Sequence, residues 1–368
     1  MTRLADGVAI DALSVRAYQV PTETPESDGT LRWSSTTLTA VHVEAGGVRG
    51  FGYGFVDAAG ARLIDEKLAP VVVGTDAVDT PGAWEAMRRE TRNIGHPGLV
   101  LAAIGVVDVA LWDLKGKLLD VNVGVLMGAR RSECPVYGSG GFTSYPVERL
   151  QAQLAGWVEM GIPRVKMKVG REPGRDPERV RAARSAIGPD AELFVDANGA
   201  YTRSQAIGLA QRFAEHDVSW FEEPVSSEDL AGLRWIRSRV PAGMRVAAGE
   251  YGWDIVYFRR MCEAEAADVV MPDAIRCGGY TGFLRAAEVC AAFATPISAH
   301  TAPQLDVHVC CAAPGVLHLE YFHDHARIDD SLIDGAMTPE GGTLRPDRAR
   351  PGIGLELKER DAEEYRVY

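Results

Sequence analysis

Hydrophobic and polar positions along this chain follow two different rhythms, and the change from one to the other divides it. In the first third, "AIDALSVRAYQVP" alternates residue by residue as a strand does, and "TTLTAVHVEA" and "GFGYGFV" do so on either side of the Gly46-Gly47 turn. Helical spacing follows in "TPGAWEAMRRETRNI", with Thr80 placed as its N-cap, and in "GLVLAAIGVVDVALWDLKGKLL". Strands followed by helices predict a small α+β domain over residues 1–130. From Cys134 the pattern becomes strand, loop, helix, repeated. The apolar runs are "PVYGSGG", "RVKMKVG", "ELFVDANG", "SWFEEPV", "RVAAGE", "ADVVMPDA", "TPISAH" and "LHLEYFHD", with polar tips at Tyr137, Lys168, Asp196, Glu222, Glu250, Asp273, His300 and Glu320. From Lys168 onward the tips are 28, 26, 28, 23, 27 and 20 residues apart, about one βα unit each. Eight units over residues 131–328 predict a TIM-type β/α barrel, whose active site lies where the strands end. Residues 329–368, rich in Gly, Pro and charge, are expected to run back over the first domain.

One strand interrupts its own pattern. In "VKMKVG", Val165, Met167 and Val169 share one face and Lys166 and Lys168 the other. Two lysines side by side guard many sheet edges, but a closed barrel has no edge. Near the strand's end its inward face opens into the mouth, where two ammonium groups are costly unless anionic partners wait there.

Those partners exist. Asp196, Glu222 and Glu250 fall at the tips of three consecutive strands, where neighbouring side chains converge. Each acid alone reads equally as a cap for the helix that follows. Three in a row repel one another and call for a cation between them. An all-oxygen set with no cysteine or second histidine nearby favours Mg²⁺ over Zn²⁺, one ion per subunit. Glu223 should face the other way, in a structural role. Asn198 either orients a substrate oxygen or makes the Asn-Gly turn. His300 ends the seventh strand and Asp273 the sixth, so a carboxylate stands ready to fix the imidazole tautomer, as a general base requires. Lys168 and His300 would reach a substrate from opposite sides, and the charge of Lys166 would lower the pKa of Lys168.

Composition narrows the partners. The 368 residues are 46% hydrophobic and 24% charged, ordinary globular values. A net charge of −12 argues against nucleic acid and anionic membranes and permits a small carboxylate substrate in a locally positive pocket. The six cysteines show no paired spacing, so a reduced, cytoplasmic protein is expected. The N-terminal stretch does not read as a signal peptide, and no run is long and apolar enough for a membrane span.

The ordered elements "KMK", "VDANGAY", "FEEP", "AAGE", "MPDAIRCGG", "ISAH" and "LHLEY" resemble the mandelate racemase subgroup of the enolase superfamily, over nearly the whole chain. The resemblance implies a (β/α)7β barrel with an N-terminal capping domain, and a homo-oligomer from dimer to octamer. It assigns Asp196, Glu222 and Glu250 to Mg²⁺ and makes Lys168 and the His300–Asp273 dyad the two bases. It places Lys166 and a protonated Glu320 on the substrate carboxylate, with Tyr137 and Ser139 at substrate-contacting positions. The muconate-cycloisomerase subgroup would carry a lysine on the sixth strand, where this chain has Asp273. Abstraction of the proton α to a carboxylate is the shared chemistry. Returning a proton to the other face makes a racemase or epimerase of a 2-hydroxy acid. Expelling a β-hydroxyl makes an acid-sugar dehydratase yielding a 2-keto-3-deoxy acid. The segment "TETPESDGTLRWSS" reads as a polar lid loop, or as an ordinary surface loop. Arg32 suits a polyol or second carboxylate, whereas Trp33 would pack on an aromatic ring. The balance favours dehydration. A binding protein that kept the barrel would be expected to have lost a ligand or base, and none is missing.

Overall fold

The structure, a computed structural model, describes residues 7–368. Its N-terminal part is an antiparallel sheet of β1 (Ala12–Ser27), β2 (Arg32–Ala45) and β3 (Val48–Gly54), followed by helices. The segment expected to be a loop is instead a β-ribbon. β1 continues to Ser27, and its pairing with β2 shifts only between Pro21 and Glu26. Pro21 and Pro25 are tolerated because β1 is the sheet's edge. Asp28 closes the tip by accepting the N–H groups of Thr30 and Leu31, both at 2.6 Å. Gly50 and Gly52 of β3 let the helix Leu99–Leu119 lie directly on the sheet: a Cβ at Gly52 would sit 2.4 Å from the Ala110 nitrogen. Asp79 rather than Thr80 caps the helix Thr80–Glu90, accepting from the Gly82 N–H at 3.0 Å.

Eight parallel strands then close into a barrel: β4 (Cys134–Gly140), β5 (Arg164–Lys168), β6 (Glu192–Asp196), β7 (Val218–Glu222), β8 (Arg245–Ala248), β9 (Val269–Val270), β10 (Ile297–Ala299) and β11 (Val316–Phe322), with β11 paired back to β4. Alternation along the strands makes two cores. Outward residues merge with the helices and with the N-terminal sheet in one large apolar cluster. Inward residues Tyr137, Phe194, Trp220, Ala247, Val269 and Met271 form a separate floor inside the barrel, with Phe194 and Trp220 stacked at 5.0 Å. Of the C-terminal segment, Thr343–Leu344 pairs with β4, and Val367 donates its N–H to Ala17 of β1 at 2.9 Å. All six cysteines are free and buried. Among the described residues no helix is long and apolar enough to cross a membrane.

Candidate metal centre and active site

The acidic cluster forms because register puts it there. β5, β6 and β7 align Lys168, Asp196 and Glu222 across one level of the barrel, and Glu250 follows two residues after β8. Asp196, Glu222 and Glu250 are buried and offer ligand oxygens that all lie within 4.8 Å of one another. Trp220, one layer below, donates its indole N–H to Glu222 Oε2 at 3.0 Å and holds that carboxylate upright. Burial and the neighbouring Asp196 push the Glu222 carboxyl up to about 8, a mark of acids crowded without enough positive charge. Six carboxylates meet here (Asp196, Glu222, Glu223, Glu250, Asp273 and Glu320) against four cationic side chains, Lys166, Lys168, Arg276 and His300. Burial and the neighbouring acids raise the Glu223 carboxyl too, so these carboxylates are crowded for want of positive charge, and Glu250 Oε2 is buried without a hydrogen bond. The oxygen set and the crowding of the acids both fit one hard divalent cation.

The two lysines differ. Lys166 is fully enclosed over the Tyr137 ring, 2.5 Å from Glu222 Oε1 and 2.9 Å from Glu320 Oε1. Lys168 lies higher, 2.5 Å from Asp196 Oδ2. Burial and the Lys166 charge pull the Lys168 pKa down, but Asp196 outweighs them and leaves it raised. The lowering expected from Lys166 is present, and Asp196, itself a candidate metal ligand, opposes it.

On the opposite flank, His300 Nδ1 is 2.8 Å from Asp273 Oδ2, while Nε2 lies 3.2 Å from Glu250 Oε2. Asp273 Oδ1 accepts the N–H groups of Ile275 and Arg276 at 2.8 and 2.9 Å, so the orienting carboxylate is itself anchored. Burial disfavours the imidazolium, but Glu250 more than offsets it and takes the His300 pKa up to about 9. β5 and β10 stand three strands apart one way round the barrel and five the other. Lys168 thus meets the Asp196 end of the cluster and His300 the Glu250 end.

Glu320 accepts from Ser139 Oγ at 2.5 Å and from the Thr301 N–H at 3.2 Å. Burial would raise its carboxyl, but Lys166, His300 and Lys168 bring it down to about 2. Its partners here are all donors or cations, which favours the carboxylate over the protonated form that the resemblance implies. Tyr137 is not a strand tip: it sits mid-strand beside Glu320 in register and its ring belongs to the floor. Asn198 takes the left-handed conformation (φ 45°) that the Asn-Gly turn needs and gives its backbone N–H to Asp196 Oδ1 at 2.9 Å, with its side-chain Oδ1 buried and unpartnered. Glu223 is buried behind the cluster at φ 37°. The ribbon tip folds down over the mouth: Ser27 bonds Thr143, and Trp33 packs edge-on against Phe142 at 5.4 Å. Arg32 is exposed at the start of β2, paired in register with Ser27.

Sequence reading passed over Arg276, which bridges the two halves of the site. Its Nη1 lies 3.2 Å from Glu250 Oε1 and its Nε 3.7 Å from Asp273 Oδ2. Its place three residues after Asp273, in a turn capped by that aspartate, was the available signal.

Two family models cover the chain: the N-terminal domain of mandelate racemase / muconate lactonizing enzyme over residues 13–128, and an enolase C-terminal domain-like model over residues 149–362. A 3,6-anhydro-alpha-L-galactonate cycloisomerase from Streptomyces coelicolor is 30% identical, covering 95% of this chain and 98% of that protein. An L-talarate/galactarate dehydratase from Salmonella typhimurium is 28% identical over 87% of this chain and 83% of its own. Its crystal structure with Mg and L-lyxarohydroxamate matches with a TM-score of 0.90, at 25% identity over 100% of this chain and 95% of that one. A mandelate racemase/muconate lactonizing enzyme-like protein from Rubrobacter xylanophilus has a TM-score of 0.96 at 52% identity, covering 98% and 100%.

Proposed function

Because this chain belongs to the mandelate racemase/muconate lactonizing enzyme family of the enolase superfamily, we propose that it is a Mg²⁺-dependent acid-sugar dehydratase, turning an aldonate or aldarate into a 2-keto-3-deoxy acid. The observation that carries this reading is the pair of bases at opposite ends of one carboxylate cluster: Lys168 on Asp196, and the Asp273-anchored His300 beside Glu250.

Asp196, Glu222 and Glu250 would hold the cation, which when bound supplies positive charge to the substrate carboxylate and so acidifies the α-proton. Lys166, fixed between Glu222 and Glu320, donates a hydrogen bond to the carboxylate oxygen that gains charge as the proton leaves. Ser139 and Thr301 keep Glu320 in place, and the aromatic floor excludes water from below. One base takes the α-proton as the Cα–H bond breaks. His300, its Nδ1 held by Asp273, gives the Nε2 proton to the β-hydroxyl; the Cβ–O bond breaks, water leaves, and the enol becomes the 2-keto acid. Bases on two sides also permit proton return without loss of water, so the fate of the β-hydroxyl separates dehydratase from racemase.

The decisive experiment incubates the protein with Mg²⁺ and galactarate, D-gluconate, D-arabinonate and L-rhamnonate, and assays semicarbazide-reactive 2-keto acid. At least one should be dehydrated. If none is, while mandelate exchanges its α-proton in D₂O, the racemase assignment replaces this one.

A further inference from the structure

A cavity of about 310 Å³ lies between the N-terminal domain and the barrel mouth, beside the His300–Asp273 dyad. Phe55 and Leu99 wall it from the N-terminal side, and Asp273, Arg276, Thr301 and His325 from the barrel side. Its volume is at the lower end of the range that small-molecule sites occupy. The mechanism above uses Asp273, but nothing in it uses His325.

His325 is held in one orientation by both domains. Its ring stacks on Phe55, which follows β3, at 3.5 Å and 8°, and meets Phe322 of β11 edge-on at 4.9 Å. Its Nδ1 lies 3.3 Å from the Ala302 N–H and accepts from it. Thr301 and Ala302 are both left-handed, with φ 48° and 40°, a strained pair of non-glycine residues directly after His300. Their N–H groups are directed to Glu320 and His325 respectively. An imidazole that accepts at Nδ1 while neutral carries its proton on Nε2. Burial and the nearby His300 charge favour the neutral form. No acceptor among the described residues takes the Nε2–H. Beside it, Arg276 keeps 37% of its side chain exposed, though it already pairs with Glu250. Asp57, the acid at the rim, is engaged in capping the helix Ala58–Leu63.

An oriented N–H donor and a partly free guanidinium between apolar walls match a chain of hydroxyls, or a terminal carboxylate, reaching past the reacting carbons. We infer that His325 is a specificity-determining residue, donating its Nε2–H to the distal oxygens of a five- or six-carbon polyhydroxy acid whose carboxylate end sits at the acidic cluster. The inference rests on the acid-sugar reading and adds the length of the acid and the group that measures it.

The test compares binding by calorimetry to the Mg²⁺-loaded protein carrying Lys168→Ala, which prevents turnover, alone or with His325→Asn or His325→Gln. Asparagine keeps an acceptor near the Nδ1 position but has no donor at Nε2, and glutamine does the reverse. His325→Asn should weaken galactarate and D-gluconate about 10–100-fold, the loss of a buried hydrogen bond, with D-glycerate unchanged and His325→Gln retaining more affinity. If Asn binds as the parent does while Gln loses the long and short acids alike, His325 only props the Ala302 turn and the inference fails. It fails too if the parent binds neither six-carbon acid. Turnover by the unmutated enzyme is scored separately. Dehydration without length discrimination at His325 sinks this inference alone, and discrimination without dehydration sinks the dehydratase reading alone.

Discussion

Lys168 and His300 each have a carboxylate partner that sets their protonation, and the two arrangements differ. The carboxylate on Lys168 is also a metal-ligand candidate, so a cation bound to Asp196 competes with the ammonium for the same oxygens. Asp273 contacts His300 from behind, on the nitrogen that does no chemistry, and orients it, while Glu250, also a metal-ligand candidate, faces the other nitrogen and raises its pKa. Replacing either base should therefore stop the overall reaction while sparing different half-reactions. Lys168→Ala and His300→Asn are each expected to lower kcat for dehydration about 10²–10⁴-fold. The variant that keeps the base for the α-proton should still wash deuterium into C2, read by ¹H NMR. Equal, near-normal rates in both variants would remove these residues from the mechanism.

The β1–β2 ribbon is an element whose fit to the barrel can be tested separately. At its tip, Gly29 meets the ends of β5 and β6 so closely that a Cβ would lie 2.4 Å from the Ala197 carbonyl oxygen and 2.8 Å from that of Val169. Gly29→Ala should lift the tip from the mouth, lowering kcat/KM and raising hydrogen exchange in residues 20–35 while the melting temperature changes little. A variant with normal kcat/KM would show that the closed tip is dispensable. Glu26, buried in the same ribbon, accepts from Trp33 Nε1 at 3.0 Å and lies 3.4 Å from the Tyr145 hydroxyl. Burial, reinforced by Asp324, takes its carboxyl up to about 8 from 4.5. The folded state thus binds more protons than the unfolded state between those values, and stability falls as pH rises through that window. In Glu26→Gln the melting temperature should decline less from pH 5 to pH 8 than in the parent. Parallel curves would show that Glu26 does not titrate with folding.

Across the whole molecule, polar joints fasten the N-terminal domain to the barrel. Asp108 on the helix Leu99–Leu119 accepts from the hydroxyl and N–H of Thr281, at 2.6 and 2.9 Å. Tyr53 of β3 donates a hydrogen bond from its hydroxyl to Asp329 at 2.8 Å, while the other Asp329 oxygen has no partner. Burial raises the Asp329 carboxyl to about 8, so the Tyr53 bond supports a group that is already poorly satisfied. Tyr53→Phe should lower the unfolding free energy by about 1–3 kcal/mol, seen in urea melts, with Mg²⁺ affinity unchanged. A loss of Mg²⁺ affinity as large as the loss of stability would mean that this joint also shapes the metal centre.

The ordered acids, the lysine pair and the histidine with an acid behind it were legible in the sequence because a strand's end and its facing depend on local periodicity, and the spacing of βα units repeats it. Charge states were not legible. Lys168 is raised by Asp196 from the next strand, and Glu320 is lowered by Lys166, His300 and Lys168 from two others, so each protonation depends on groups far apart in the chain. The lid read as a loop because the segment is mostly polar, and only pairing with β2 along the sheet edge shows that β1 runs on through it to Ser27. Arg276 and His325 acquire their places through contacts with Glu250 and Phe55, which no pattern along the chain encodes. Periodicity is a property of neighbours in sequence, whereas electrostatics and the walls of a cavity belong to neighbours in space.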